Sequence, residues 1–158
     1  MSSSGRAEVA GPQDWPAWKA LRLEALQDSP VAFCQRYADA VRLPDEAWEA
    51  RLSRGLHLLV REGDLPVAMA EGWVDEDGAG IGAVYVTPAR RGHGLLDALV
   101  GGVADWARAQ GQTRLRLLVH ETNAAATAAY VRLGFVPTGH REPYPLGPGD
   151  EVELALAL

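Results

Sequence analysis

Residues 118–135 read LVHETNAAATAAYVRLGF, and this stretch decides the fold that the sequence predicts. An apolar strand ends near His120, and Asn123 is a residue type that begins helices by accepting a backbone hydrogen bond. Tyr130 follows Asn123 by seven residues, about two helical turns, so the two side chains share one face of the helix. Gly134 then ends the helix. Taken separately, these residues are more simply a helix cap and a packing tyrosine.

A second stretch, VYVTPARRGHG at residues 84–94, predicts a strand, a short loop and the start of a helix. Gly92 and Gly94 allow backbone N–H groups to approach a ligand closely, because no Cβ stands in the way. With the positive end of the helix, such a loop forms an anion site suited to a pyrophosphate. Arg90 and Arg91 add positive charge beside it. A plain turn would explain the glycines equally well.

Two nucleotide-binding motifs fit this loop poorly. A P-loop needs Lys followed by Ser or Thr after its last glycine, whereas Leu95 and Leu96 follow Gly94 here. A dinucleotide-binding fingerprint needs a third glycine at a set distance and an acidic residue about 20 residues further on. Neither motif is met convincingly.

Taken together, the two stretches resemble the GNAT superfamily of N-acetyltransferases. The loop of that family has the form Arg/Gln-x-x-Gly-x-Gly/Ala, here residues 91–96, with Leu96 standing where the family has Gly or Ala. The second motif, Asn-x-x-Ala-x-x-x-Tyr-x-x-x-Gly-Phe, matches at every specified position. The matching residues are Asn123, Ala126, Tyr130, Gly134 and Phe135.

The resemblance implies an α/β fold in a single domain over residues 6–158. Its sheet is mixed but mostly antiparallel, is flanked by helices, and contains a splayed parallel strand pair that binds acyl-CoA. Residue periodicity and turn signals predict the same order of elements. The predicted helices cover residues 15–27, 44–53, 95–110 and 123–133, and the predicted strands cover residues 6–10, 56–61, 66–74, 80–87, 114–120, 135–138 and 151–158. Residues 1–5 are expected to be disordered, residues 31–43 are ambiguous, and residues 140–150 are expected to form a loop.

The resemblance also assigns roles to residues of the two motifs. In the family, loop amides bind the CoA pyrophosphate, the asparagine contacts the pantetheine arm, and the tyrosine gives a proton to the departing CoA thiolate. For this chain, it implies acetyl-CoA as acyl donor, no metal ion, and Tyr130 as the catalytic acid. A backbone amide near Tyr85 or Val86 is expected to bind the thioester oxygen. The predicted CoA-binding residues are Tyr85, Val86, Arg91, Gly92, His93, Gly94, Leu95, Leu96, Asn123 and Tyr130.

The group that takes the proton from the amine is less clear from the sequence. Many members of the family carry a Glu on the third strand, but residues 80–86 contain no carboxylate. We expect Glu71, on the neighbouring strand, to be the second catalytic residue, although an exposed strand glutamate is an equally good interpretation. His120 and Glu121 are alternatives at the strand ends. The residues expected to contact the acceptor amine are Phe33, Tyr37, Tyr85 and Tyr144.

Composition limits the class of protein. The chain has 158 residues, a net charge of −6, 47% hydrophobic residues and 23% charged residues, which is typical of one globular domain. No apolar run is long enough to cross a bilayer and the start is polar, so we expect a cytoplasmic protein without membrane association. The single cysteine, Cys34, excludes an internal disulfide. The acidic charge argues against a protein that coats nucleic acid.

Three functions remain open on the sequence alone. The first is an acetyltransferase that acts on a small amine or a protein amino group, and the intact Asn123 and Tyr130 favour it. The second is a regulatory module that keeps the fold and binds CoA without turnover. Leu96 and the missing carboxylate of the third strand slightly favour this second function. The third is a nucleotide-binding domain unrelated to CoA. The family resemblance is also compatible with a homodimer.

Overall fold

The computed structural model describes residues 5–158, and within this part seven strands form one sheet in the order β1-β2-β3-β4-β5-β7-β6. The strands are β1 Ala7–Val9, β2 Leu56–Glu62, β3 Leu65–Asp75, β4 Gly78–Val86, β5 Arg114–His120, β6 Val136–Pro143 and β7 Asp150–Ala157. The helices are α1 Trp15–Asp28, α2 Tyr37–Ala40, α3 Asp45–Leu52, α4 Leu95–Ala109 and α5 Ala124–Arg132. The disorder expected for residues 1–5 concerns residues 1–4, which lie outside the described part, and Gly5, which lies in a turn.

The sheet is mixed, as the sequence predicted. Only β4 and β5 pair in parallel, and every other neighbouring pair of described strands is antiparallel. The predicted order of helices and strands is confirmed, including the short edge strand near the start. None of the helices formed by residues 5–158 combines the length and apolar character needed to cross a bilayer.

Two apolar cores cover the two faces of the sheet. Leu58 of β2 packs with Leu99 of α4 in the first core, whereas the next residue, Leu59, packs with Trp18 and Trp48 in the second. This alternation follows from the two-residue period of a strand, which sends successive side chains to opposite faces. Helices α1 and α3 therefore cover one face, and α4 covers the other.

Two segments differ from the sequence prediction. Strand β6 continues to Pro143, although residues 140–150 were expected to form a loop, because the pairing with β7 resumes after a register shift. Gly139, with φ +92°, lies in that shift. The ambiguous residues 31–43 contain only short helical pieces, a 3-10 turn at Pro30–Ala32 and α2.

A bulge in β4 shapes the centre of the sheet. The register of β3 and β4 shifts so that Ala70 of β3 lies opposite both Ala83 and Val84 of β4. Ala83 has φ +51°, a left-handed conformation that costs a non-glycine residue about 1 kcal/mol or more. Bulges bend a strand and increase its twist. Beyond Gly80 and Arg116, accordingly, β4 and β5 no longer pair, and the two strands diverge.

Trp73 of β3 lies flat over two glycines of β4. A Cβ placed on Gly80 would lie 2.4 Å from the indole ring, and one on Gly82 would lie 3.0 Å from it. The ring therefore occupies the space in which side chains of β4 would otherwise stand. This part of β4 must consist of glycine for the ring to pack here.

We expect Gly80→Ala to lower the free energy of unfolding by about 1–3 kcal/mol, because the new methyl group displaces the indole of Trp73. In a Trp73→Ala background the same change should be neutral or stabilising, since alanine loses less backbone entropy than glycine in a strand. Denaturant unfolding of the four proteins of this double-mutant cycle measures the coupling. An equal cost of Gly80→Ala in both backgrounds would contradict the packing described above.

Candidate active site

A cleft of about 800 Å³ opens where β4 and β5 diverge. Its walls are the end of β4, the following loop, the start of α4, the end of β5 and the helix α5. Nine of the ten residues predicted to bind CoA line this cleft: Tyr85, Val86, Arg91, Gly92, Gly94, Leu95, Leu96, Asn123 and Tyr130. His93 is exposed and is not among the lining residues. Two motifs separated by about thirty residues are thus brought to one site.

The loop before α4 presents backbone groups rather than free cations. Gly92 and Gly94 have φ values of +79° and +83°, a conformation that glycine adopts without strain. Gly94 is the N-cap of α4 and offers no side chain to the first turn, so the first N–H groups of the helix are free for an anion. Arg90 and Arg91, which the sequence predicted to add positive charge beside this site, both line the cleft and are each paired with an acid. Arg90 is paired with Glu62, and Arg91 is engaged as described next.

Arg91 ties the loop to its surroundings. Its Nε donates to the carbonyl oxygen of Val86 at 3.0 Å, and its Nη2 donates to Asp28 at 2.7 Å. Hydrogen bonds from the Ser29 hydroxyl and from Arg91 keep the pKa of the Asp28 carboxyl below its ordinary value. The guanidinium of Arg91 therefore holds the end of β4 against the end of α1.

Leu96 does not close the cleft. The side chain is half-buried, packs against the apolar core beneath α4, and lines the cleft with its remaining surface. Helix α4 is joined to α5 across the cleft by Asp97 and Arg132, whose side chains lie 3.5 Å apart. The departure from the family motif is thus accommodated by the core.

Tyr130 presents an unused hydroxyl to the cleft. The ring is half-buried and packs edge-on against Phe135, with ring centroids 5.5 Å apart. Among residues 5–158 the hydroxyl has no hydrogen-bond partner, and burial raises the pKa of this phenol above its ordinary value. Asn123 caps α5 by accepting from the N–H of Ala126 at 3.2 Å, which leaves its amide N–H₂ available. Both groups are therefore free to donate to a ligand.

Glu71 is hydrogen-bonded to two other side chains. Its carboxylate lies 2.8 Å from Nη2 of Arg51 and 3.0 Å from Nε2 of His57. Burial alone would raise its pKa, but the hydrogen bonds from His57 and Arg51 outweigh burial and lower the pKa to about 2. A carboxylate held this firmly in its ionised form is a poor proton acceptor near neutral pH. The contacts give Glu71 a structural role and count against the expectation that it is the base.

The alternative candidates for the base, His120 and Glu121, also have hydrogen-bond partners. His120 is buried, with Nε2 3.0 Å from the carbonyl oxygen of Pro148 and Nδ1 2.8 Å from the hydroxyl of Thr122. Glu121 is exposed and accepts from Arg141. These bonds hold the turn after β5 in place. His120 lines the cleft, whereas Glu121 does not.

The predicted acceptor residues fall into three groups. Phe33 lines the cleft, and Tyr144 supports it by donating from its hydroxyl to the Phe33 carbonyl oxygen at 2.7 Å. Tyr85 lines the cleft but donates its hydroxyl to Glu24 at 2.7 Å, and burial together with this carboxylate raises its pKa. Tyr37 lines neither this cleft nor the one on the opposite side of the sheet. Phe33 itself is buried, and the guanidinium of Arg22 lies over its ring.

A second cleft, of about 720 Å³, lies on the side of the sheet covered by α1. It meets the first through the gap between β4 and β5. The residues that line both clefts are Ala32, Phe33, Ile81, Gly82, Ala83, Leu117 and Leu118. The second cleft also includes Cys34, Trp73 and Glu151, which sequence analysis did not assign to a site. The alternating glutamates of the last strand were the sequence feature that could have indicated an acidic cleft here.

Residues 18–135 match the sequence model of a family described as the acetyltransferase (GNAT) family. The chain belongs to the GNAT acetyltransferase family. The matched range contains both motifs of the cleft, so the resemblance that these motifs indicated is confirmed.

Two curated relatives of this GNAT chain are mycothiol acetyltransferases. The one from Salinispora tropica is 34% identical over 148 residues, which cover 90% of this chain and 47% of the relative. The one from Beutenbergia cavernae is 30% identical over 131 residues, which cover 81% of this chain and 43% of the relative. The chain therefore spans less than half the length of these curated relatives.

Solved structures share the GNAT fold of this chain. The ribosomal-protein-S18-alanine N-acetyltransferase of Escherichia coli superposes with a TM-score of 0.71 at 24% identity, covering 99% of this chain and 94% of the other. The protein yncA of Salmonella typhimurium, solved with acetyl-CoA, superposes with a TM-score of 0.77 at 23% identity, covering 100% and 94%. At these identities the likeness establishes the common fold.

The ion-paired carboxylate of Glu71 predicts a pH-dependent stability. Its pKa falls from the ordinary 4.5 to about 2 in the folded protein, so its contribution is complete above pH 4.5 and is lost as the pH falls towards 2. At about 1.4 kcal/mol per pH unit, this contribution is roughly 3 kcal/mol at neutral pH. We expect Glu71→Gln to lower the free energy of unfolding by about that amount at neutral pH. Denaturant unfolding at several pH values checks this, and a difference that does not shrink under acidic conditions would refute it.

Proposed function

We propose that this protein transfers an acetyl group from acetyl-CoA to a primary amine by direct attack of the amine on the thioester. The observation that carries the proposal is the junction of two clefts at the gap between β4 and β5. One cleft offers backbone N–H groups and the unused Tyr130 hydroxyl, and the other is lined by carboxylates. A thioester and an amine entering from opposite sides would meet at the gap, which is the proximity that an acyl transfer requires.

The first cleft suits the acyl donor. The free N–H groups at the start of α4 suit a pyrophosphate. The side-chain amide of Asn123 lines the same cleft, where it can hydrogen-bond to the amide-bearing pantetheine arm of CoA. The acetyl-CoA present in the structure of yncA supports this choice of donor. Beyond Gly80, the edge of β4 that faces β5 has no ladder partner, so its backbone N–H groups are available to the thioester oxygen.

The chemistry needs one proton donor at the donor cleft. As the amine nitrogen forms its bond to the carbonyl carbon, negative charge grows on the oxygen and is then carried away by the sulfur. Tyr130, whose hydroxyl is protonated and has no partner among residues 5–158, supplies the proton to the leaving thiolate. The proton that the attacking nitrogen loses as the amide forms returns to the phenolate through solvent, so the products are the amide and the CoA thiol. A raised pKa keeps the phenol in its donor form at neutral pH.

The relatives do not select the acceptor. Their names refer to mycothiol in two cases and to an alanine of ribosomal protein S18 in another. The acceptor class must therefore be argued from the second cleft of this chain. A cytoplasmic location and a homodimer stay predictions from the sequence.

We expect acetyl-CoA to raise the thermal unfolding temperature, whereas ATP and NAD, used as controls, should leave it unchanged. A ligand at about 100 times its dissociation constant adds roughly 2.7 kcal/mol of stability, which is readily measured by thermal unfolding. Stabilisation by ATP or NAD in place of acetyl-CoA would instead support a nucleotide-binding domain unrelated to CoA.

We expect Tyr130→Phe to lower kcat about a hundredfold or more, because the leaving thiolate loses its proton donor, while the Kd for acetyl-CoA stays unchanged. Tyr37→Phe is the matched control, since its hydroxyl lines neither cleft. Release of free CoA thiol measures turnover, and calorimetry measures binding. Unchanged turnover in Tyr130→Phe would remove Tyr130 as the acid. Tight binding without turnover in the native protein would favour a CoA-binding module.

A further inference from the structure

Two glutamates of the second cleft differ in their partners. Glu71 is paired with Arg51 and His57. Glu151 of β7 is only 5% exposed, yet it takes part in no ion pair among residues 5–158. The only side-chain hydrogen-bond partner of its carboxylate in this part of the chain is the thiol of Cys34, whose sulfur lies 3.4 Å and 3.6 Å from the two oxygens. A thiol is a weak donor, so the charge of Glu151 lacks a counter-ion.

No basic side chain of residues 5–158 lies within ion-pair distance of Glu151, although the buried Arg22 lines the same cleft. In the sheet it lies between His120 of β5 and Glu142 of β6. The ring nitrogens of His120 contact the Pro148 carbonyl oxygen and Thr122, and Glu142 is itself an acid. A carboxylate that is nine-tenths buried therefore faces the cleft without a paired cation.

The cleft as a whole is acidic. Its carboxylates are those of Glu71, Asp75, Asp77, Glu142, Glu151 and Glu153, and its basic side chains are those of Arg22, Arg114, Arg116 and His140. Arg116 already lies 3.2 Å from Asp75 and 3.8 Å from Glu153. Arg22 donates to the neutral amide of Gln35 and takes part in no ion pair among residues 5–158. The excess of negative charge favours entry of a cation.

The position of Trp73 explains why β4 contributes no acid to this cleft. The indole ring covers Gly80 and Gly82, so β4 has no room for a carboxylate on this face. Strand β7 lies beside β5, on the opposite side of the gap from β4. Glu151 thus stands across the gap from β4, the strand whose residues 80–86 contain no carboxylate.

A buried carboxylate without a partner is costly, and a ligand cation would remove that cost. We propose that Glu151 binds the acceptor as its ammonium ion, before that nitrogen releases a proton to solvent and attacks as the neutral amine, and that the acceptor is an amine whose net charge is positive. This inference rests on the proposed function, since it assumes that the second cleft receives the acceptor. It adds to that function a specific residue and a charge class.

The first test compares stabilities and needs no acceptor. If Glu151 is unpaired in the free protein, Glu151→Gln removes a buried charge and keeps the size of the side chain, so its thermal unfolding temperature should rise. Glu71→Gln is the matched control, because it breaks a paired carboxylate in the same cleft and should lower that temperature. A fall for Glu151→Gln similar to that for Glu71→Gln would show a structural role and overturn the proposal.

The second test uses n-butylammonium as the probe, with n-butanol as its neutral counterpart. With the protein saturated by CoA, which cannot acylate the probe, n-butylammonium should raise the unfolding temperature and n-butanol should not. The shift should be lost in Glu151→Gln and kept in Glu142→Gln, whose side chain lines the same cleft but is more exposed. A hydrogen bond to a charged group corresponds to about a tenfold or larger change in Kd, which a titration resolves.

The possible outcomes distinguish a failure of the proposed function from a failure of the assignment of Glu151. Absence of stabilisation by both acetyl-CoA and CoA would refute the proposed function. Stabilisation by CoA, together with a shift by n-butylammonium that survives in Glu151→Gln, would overturn only the assignment of Glu151. The absence of any shift by n-butylammonium in the CoA-bound native protein would overturn it as well.

Discussion

The divergence of β4 from β5 is the feature on which the rest of the site depends. Two parallel strands that stayed paired would leave a closed sheet with no passage between its faces. The bulge at Ala83 bends β4, and pairing with β5 ends at Gly80 and Arg116. Ala83 adopts a left-handed conformation at that point, and the pairing of the surrounding strands offsets its energetic cost. What results is a gap whose strand edges carry free backbone groups.

The two faces of the sheet make the two sides of the gap chemically different. On the side of α4 and α5, the site consists of helix N-terminal amides, Asn123 and Tyr130, all of which are donors. On the side of α1, the cleft is dominated by carboxylates, which are acceptors. An anionic donor molecule and a cationic amine would each find their complement on one side, and only their reacting groups would need to meet.

Charged residues of this chain show how tertiary contacts decide a role. Arg90 and Arg91 add positive charge beside the predicted anion site, and in the fold they are also paired with Glu62 and Asp28. Glu71 looks like a base, but its carboxylate is bound by Arg51 and His57. Glu151 is one of several alternating residues in the last strand, yet it is buried and takes part in no ion pair among residues 5–158.

The amino-acid sequence by itself determined the order of elements, the fold class and both motifs, because strand period, helix caps and glycine turns are local properties. It also placed Tyr130 and Asn123 on a common wall, since seven residues are two helical turns. Only the tertiary structure decided which charges are free, because ion pairs join residues such as Arg51 and Glu71 that no periodicity relates. It also decided that Trp73 covers Gly80 and Gly82 of β4, since that ring reaches a neighbouring strand.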